Sequence, residues 1–338
     1  MRHSFESPTF AMSTDANVSS SSVALGLQTT FADLPDEAKR SVFELSNRNF
    51  DQRAVSSPQD LSPGAVPPLP MLVGVAQGDS WFDYLPAFFE DPFNGDLLGH
   101  LHRTGRYNII KAATAGDTLE NMSYGTGVGG DGSAEPQEID TALNAVKTSQ
   151  ASFYLLSAGG NDMAGSNGVN LEFYLNHALT NLPPLRDSRV VETFTTFNRA
   201  ALEYIVQQVK AAKPGIEIFI HGYDYAIPDG RPVFKAPFGW SFIGPWLLPA
   251  FERQRISPAP VRQAVIKTLI DRHNETIAAI ASADPKVHHI DCRGVLESNT
   301  TDWANELHPT ATGFGKIAAK FDAVLQAFFR AKFALPAA

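Results

Sequence analysis

The chain has one cysteine, Cys292, among 338 residues. That excludes an intramolecular disulfide and a structural metal site built on several thiolates. Cys292 sits in "VHHIDCRG", at the end of an apolar run, where a lone cysteine reads as a small buried residue. Basic charge is also scarce. Lys and Arg total 27 against 36 Asp and Glu, a net charge of −9. Nucleic acids and anionic membranes usually require a basic patch, and no Lys/Arg run supplies one. No stretch reaches the roughly 20 apolar residues of a membrane span. The opening "MRHSFESPTFAMSTDANVSSSS" lacks the continuous apolar core of a signal peptide. The expected setting is the cytoplasm.

Several catalytic signatures are missing too. There is no G-x-S-x-G elbow and no H-E-x-x-H metal motif. Gly125, Gly127 and Gly130 match the spacing of a dinucleotide fingerprint. No strand precedes them and no helix follows, so they read as a loop over the cleft. His288 and His289 are neighbours on a predicted strand. They point to opposite faces and do not share a metal.

What is present is an alternation. Residues 1–68 are rich in Ser, Asp, Asn and Pro and read as a loosely packed or disordered arm. From residue 69 to 334 short apolar runs alternate with amphipathic helices. The runs are "MLVGVA" (71–76), "YNIIKAA" (107–113), "ASFYLLS" (151–157), "IEIFIHG" (216–222) and "VHHID" (287–291). Runs of this kind suit parallel strands buried on both faces. Leu202, Ile205, Val206 and Val209 give a helix one apolar stripe. Ile266, Leu269, Ile270 and His273 give another, and Phe314, Ile317, Phe321 and Leu325 a third. The expected fold is a three-layer α/β/α sandwich around a mainly parallel five-stranded sheet. One stretch, 223–258, breaks the rhythm. It is rich in Pro, Gly and aromatics and reads as a lid-like insertion, with Trp240 and Trp246 as candidate substrate contacts.

Ligands of parallel α/β sheets bind beyond the carboxyl ends of the strands. The first run is followed by Gly78-Asp79-Ser80 and the second by Gly116-Asp117-Thr118. The third leads into Gly159-Gly160-Asn161-Asp162, and "NELHPT" carries His308 ahead of the last helix. These four blocks, "GDSW", "AGDT", "GGND" and "NELHPT", resemble the SGNH hydrolases, also called the GDSL esterase/lipase family. They stand in the family's order and cover Met71 to the C-terminus. The resemblance implies a flavodoxin-like fold and a serine esterase. Ser80 would be the nucleophile and His308 the general base. The backbone N–H groups of Ser80 and Gly116 and the amide of Asn161 would form the oxyanion hole. It implies no metal or organic cofactor, and a small-molecule ester as the partner.

The residue types suit that chemistry. A serine hydroxyl needs a base to accept its proton, and imidazole titrates near the working pH. Gly116 lets backbone approach a substrate closely. Asn161 offers an uncharged NH₂ donor. Trp81, next to the nucleophile, reads as core or as pocket lining. The third triad member departs from the pattern. The family has Asp three residues before the histidine, where this chain has Asn305. Asp302 is the favoured partner, brought to the ring by a loop that folds back. Asn305 is the second choice, because an amide can hold an imidazole. Glu306 is the third, expected to face solvent or another donor. Acyl transfer to a non-water acceptor and a decayed, binding-only site are the alternative functions.

Overall fold

The computed structural model describes residues 69–84, 95–125, 138–165, 169–233 and 244–334. The N-terminal arm 1–68, the glycine-rich loop 126–137 and Trp240 lie outside the described residues. Five strands, β1 (Leu72–Gly78), β2 (Tyr107–Ala113), β3 (Phe153–Ser157), β4 (Glu217–Gly222) and β5 (Val287–Asp291), form one sheet. Its order is β2-β1-β3-β4-β5 and every pairing is parallel. The chain steps one way from β1 to β2 and the other way to β3. The crevice opens at that reversal, beside the end of β1.

Alternate residues of each strand bury on opposite faces. Leu72, Ala76, Ile109, Phe153 and Phe219 join one core, and Val75, Ala112, Tyr154, Ile218 and Ile220 join the other. The first face is covered by α1 (Leu97–Arg103) and α10 (Ala311–Lys332), through Leu97, Leu101, Phe314, Ile317 and Phe321. The second is covered by α2 (Leu119–Tyr124), α3 (Glu138–Thr148) and α7 (Arg199–Ala212). Helix α7 presents Leu202, Ile205, Val206 and Val209. The long α9 (Ala259–Ala283) adds Ile277 and Ile280 to that layer, while Ile266, Leu269 and Ile270 reach the other core at the strand ends. Burying both faces explains why the strands read as unbroken apolar runs.

Four further helices shape the upper rim: α4 (Gly160–Ala164), α5 (Val169–Phe173), α6 (Asp187–Glu192) and α8 (Leu248–Arg253). A π-helical turn, Thr193–Asn198, joins α6 to α7. Among the described residues no helix is long and apolar enough to cross a membrane.

The described parts of the 223–258 stretch, 223–233 and 244–258, meet at one carboxylate. Glu306 accepts the N–H groups of Gly230 and Leu248 at 2.9 Å and of Trp246 and Leu247 at 2.6 Å. Its own N–H reaches Arg231 O and its carbonyl accepts from Ile227. Glu306 is fully buried, not turned to solvent. Burial pushes its carboxyl up, against the downward pull of those donors. Both parts are thus pinned to the loop that carries His308. Replacing Glu306 by Ala leaves four N–H groups without their acceptor, with an expected stability loss of about 3 kcal/mol. The urea midpoint of Glu306→Ala reads this, and a loss below about 0.5 kcal/mol, the level of ordinary surface changes, would refute the clamp.

Candidate active site

Strand β1 delivers Ser80. Gly78 runs so close to β3 that an added Cβ would sit 2.6 Å from the Ser157 Cβ. Asp79 then turns inward and is buried. Its carboxylate accepts from Trp81 N at 3.0 Å, from Ser157 Oγ at 2.7 Å and from the Tyr223 hydroxyl. Burial raises the Asp79 carboxyl to about 6, even against the downward pull of these donors. With Asp79 anchored below, the next residue faces the cleft. Ser80 borders the cavity there.

The opposite wall is the loop 302–310, folded on itself by the Trp303–Pro309 bridge and by Ala304 N donating to His308 O at 3.0 Å. Trp81 Nε1 donates to Leu307 O at 3.1 Å and ties this loop to the serine turn. Asn305 sits at the tip, fully buried. Its Oδ1 accepts the backbone N–H groups of Leu307 and His308, both at 3.0 Å. Only the amide oxygen can accept two such bonds, so the orientation of the amide is fixed. The same oxygen lies 3.0 Å from His308 Nδ1. That nitrogen must then carry the proton, and Nε2 must be the unprotonated one. His308 Nε2 lies 2.7 Å from Ser80 Oγ, placed to accept the hydroxyl hydrogen.

The imidazole is enclosed. The Tyr84 ring stacks on it with centroids 4.3 Å apart and planes 13° from parallel, and the Trp246 ring meets it edge-on at 5.4 Å. Burial pushes the His308 ring down to about 3. Sequence order alone had not linked Tyr84 to this ring. Its hydroxyl accepts the Asn305 Nδ2 hydrogen at 2.7 Å.

The structure brings Asn305, not Asp302, to the ring. The Trp303–Pro309 bridge turns Asp302 to the far side of the loop, where Lys316 of α10 meets it at 2.7 Å and Glu297 N donates at 2.7 Å. Burial works against the Asp302 anion, but these partners outweigh it and hold the carboxyl below its ordinary range. Glu306, the third choice, is taken up by the backbone N–H groups of Gly230, Trp246, Leu247 and Leu248. Trp246 reaches the site, though by touching His308. Trp81 has both expected roles. It is buried, stacks on His221 at 5.4 Å, and lines the cavity. His221 itself is fully buried beneath it.

The remaining two blocks are bound to each other. Thr114 N donates to Gly78 O, carrying β2 past the serine turn. Gly116 has φ +87°, a left-handed conformation that favours glycine, and an added Cβ would meet nothing within 4 Å. Thr118 caps α2 by accepting Asn121 N. Asn161 Nδ2 donates to Asp117 O at 2.8 Å, and Asp162 Oδ2 accepts Leu119 N at 2.8 Å. The cap and the cleft loop are therefore one structure. Among the described residues, the backbone N–H groups of Ser80 and Gly116 have no hydrogen-bond acceptor. Gly159 has φ +100°, and an added Cβ there would lie 2.5 Å from the His273 ring. His273 is a buried packing residue under that turn. Among the described residues, no group of three His, Cys, Asp or Glu could hold a metal ion.

Beside Ser80 and His308 lies a cavity bounded by α4, α5 and α9 and by Leu247, the residue before α8. Its walls there are Met163, Ala164, Leu171, Leu247, Leu269 and Ile270. Its volume is about 50 Å³.

The chain is similar to several solved structures. A putative SGNH hydrolase from Slackia heliotrinireducens is 11% identical, with a TM-score of 0.44 over 74% of this chain and 96% of its own. An extracellular lipase from Streptomyces rimosus is 16% identical (TM-score 0.43, 74% and 98% covered). A phospholipase A1 from Streptomyces albidoflavus is also 16% identical (TM-score 0.44, 75% and 98% covered). No curated protein matches the chain. The profile of the GDSL-like Lipase/Acylhydrolase family matches residues 76–315, more than half of the sequence and all four blocks. The chain belongs to the GDSL-like lipase/acylhydrolase family.

Proposed function

We propose that this protein is a serine esterase that hydrolyses carboxylic esters through an acyl-enzyme on Ser80. The observation that carries the reading is the 2.7 Å contact between Ser80 Oγ and an unprotonated His308 Nε2. His308 takes the hydroxyl proton as Oγ attacks the carbonyl carbon. The oxygen of the tetrahedral intermediate becomes anionic. The N–H groups of Ser80 and Gly116 and the Asn161 amide are the donors proposed to stabilise that charge. Collapse expels the alcohol, which takes the proton back from Nε2. Water, deprotonated by the same nitrogen, then releases the acid. Asn305 keeps Nδ1 protonated throughout and so keeps Nε2 available.

The apolar cavity beside Ser80 supports an acyl chain as its occupant. A site for one water requires about 10–15 Å³ on the same measure. A cavity of about 50 Å³ thus has room for only a few heavy atoms. Short acyl groups are the proposed substrates.

Three outcomes follow. A fluorophosphonate labels wild-type protein at Ser80, and Ser80→Ala loses labelling and at least about 10³-fold in kcat on p-nitrophenyl acetate. Full activity in Ser80→Ala, or an unlabelled folded wild type, refutes the esterase reading. The second concerns pH. A histidine lowered from 6.5 to about 3 stays neutral, and competent as a base, as pH falls below 6.5. The acid limb of kcat/KM therefore lies below pH 6.5, and Asn305→Asp moves it upward, since a carboxylate there favours the imidazolium. A wild-type limb at or above 6.5 contradicts this. The third narrows the cavity. Ala164→Val should cut kcat/KM for p-nitrophenyl butyrate about 10-fold or more and spare the acetate. An unchanged chain-length profile would remove the cavity from the acyl assignment.

A further inference from the structure

The departure at Asn305 leaves the proposed base without the anion that normally orients a triad histidine and stabilises its charged form. Asp302 does not supply one, since it is paired with Lys316. Glu306 does not either, since its oxygens are filled by backbone donors. Tyr84 instead touches both members of the pair. Its hydroxyl oxygen accepts from Asn305 Nδ2 at 2.7 Å, and its ring face covers His308 at 4.3 Å between centroids.

We propose that Tyr84 is the positioning residue that takes over the work of the missing carboxylate. It has two parts. The hydroxyl anchors the amide nitrogen, which keeps Oδ1 on the Nδ1 hydrogen and Nε2 aimed at Ser80. The ring face carries negative π density, and an imidazolium formed 4.3 Å above it is attracted electrostatically. This attraction exists only once Nε2 has taken the serine proton. It therefore favours the transition state over the resting ring. The inference rests on the esterase reading above.

Two variants separate the parts. Tyr84→Phe keeps the ring and loses the anchor, and Tyr84→Leu loses both. We expect kcat on p-nitrophenyl acetate to fall about 5- to 10-fold in Tyr84→Phe and about 30-fold or more in Tyr84→Leu. KM should stay within about twofold, because neither part touches substrate. The rate of fluorophosphonate labelling of Ser80 should fall in parallel. Adding Asn305→Asp to Tyr84→Phe should recover most of the lost kcat, because a carboxylate is symmetric and charged and requires no amide anchor. A packing role alone would lower stability without this rescue. The proposal is overturned if Tyr84→Phe retains kcat within twofold of wild type, or if Asn305→Asp restores nothing. Should Tyr84→Leu fail to fold, Tyr84→Phe and its rescue still decide. An inactive Ser80→Ala beside unaffected Tyr84 variants sinks this inference alone, whereas an active Ser80→Ala sinks both.

Discussion

One amide oxygen organises the cleft. Asn305 Oδ1 accepts from Leu307 N, His308 N and His308 Nδ1. The first two bonds curl the loop so that the histidine projects toward β1. The third sets which ring nitrogen is free. A hydroxyl placed 2.7 Å from the wrong tautomer would meet a donor and gain nothing. The fold contributes the other half of that distance, because β1 and the 302–310 loop are joined by the Trp81 Nε1 bond to Leu307 O.

The pair that faces Ser80 is uncharged at rest and enclosed by aromatic rings. His308 and Asn305 are buried and uncharged, and Asp79, the buried acid next to Ser80, is satisfied by a hydroxyl, a phenol and an N–H. Low polarity makes every remaining dipole count for more. It also makes a new charge on the ring costly, which is why the surroundings of His308 matter more than a count of triad members suggests.

The fold was largely legible in the sequence because its signals are local. Five apolar runs fall on five strands, and the stripes on α7, α9 and α10 lie against the sheet. That Ser80, Asn161 and His308 border one cavity was legible because each follows the end of a strand or precedes a helix, and a parallel sheet gathers those points on one edge. The partner of His308 was not. Asp302 looked better on charge, but the direction of a side chain in a nine-residue loop depends on hydrogen bonds between its own backbone atoms. The Trp303–Pro309 bridge and the acceptance by Asn305 of two N–H groups have no periodicity to betray them. Glu306 was invisible for a related reason, since its four donors come from residues 58 to 76 positions away. Tyr84 and Asn305 are separated by 221 positions, and no local pattern pairs them.

The Glu306 clamp makes one side chain a junction. Gly230 on one side and Trp246, Leu247 and Leu248 on the other are fastened to the same carboxylate. Trp246 in turn meets the ring of His308, and Glu306 stands two residues before that histidine in the same loop. A disturbance at Gly230 therefore has a route to the imidazole through a single carboxylate, without passing through the sheet.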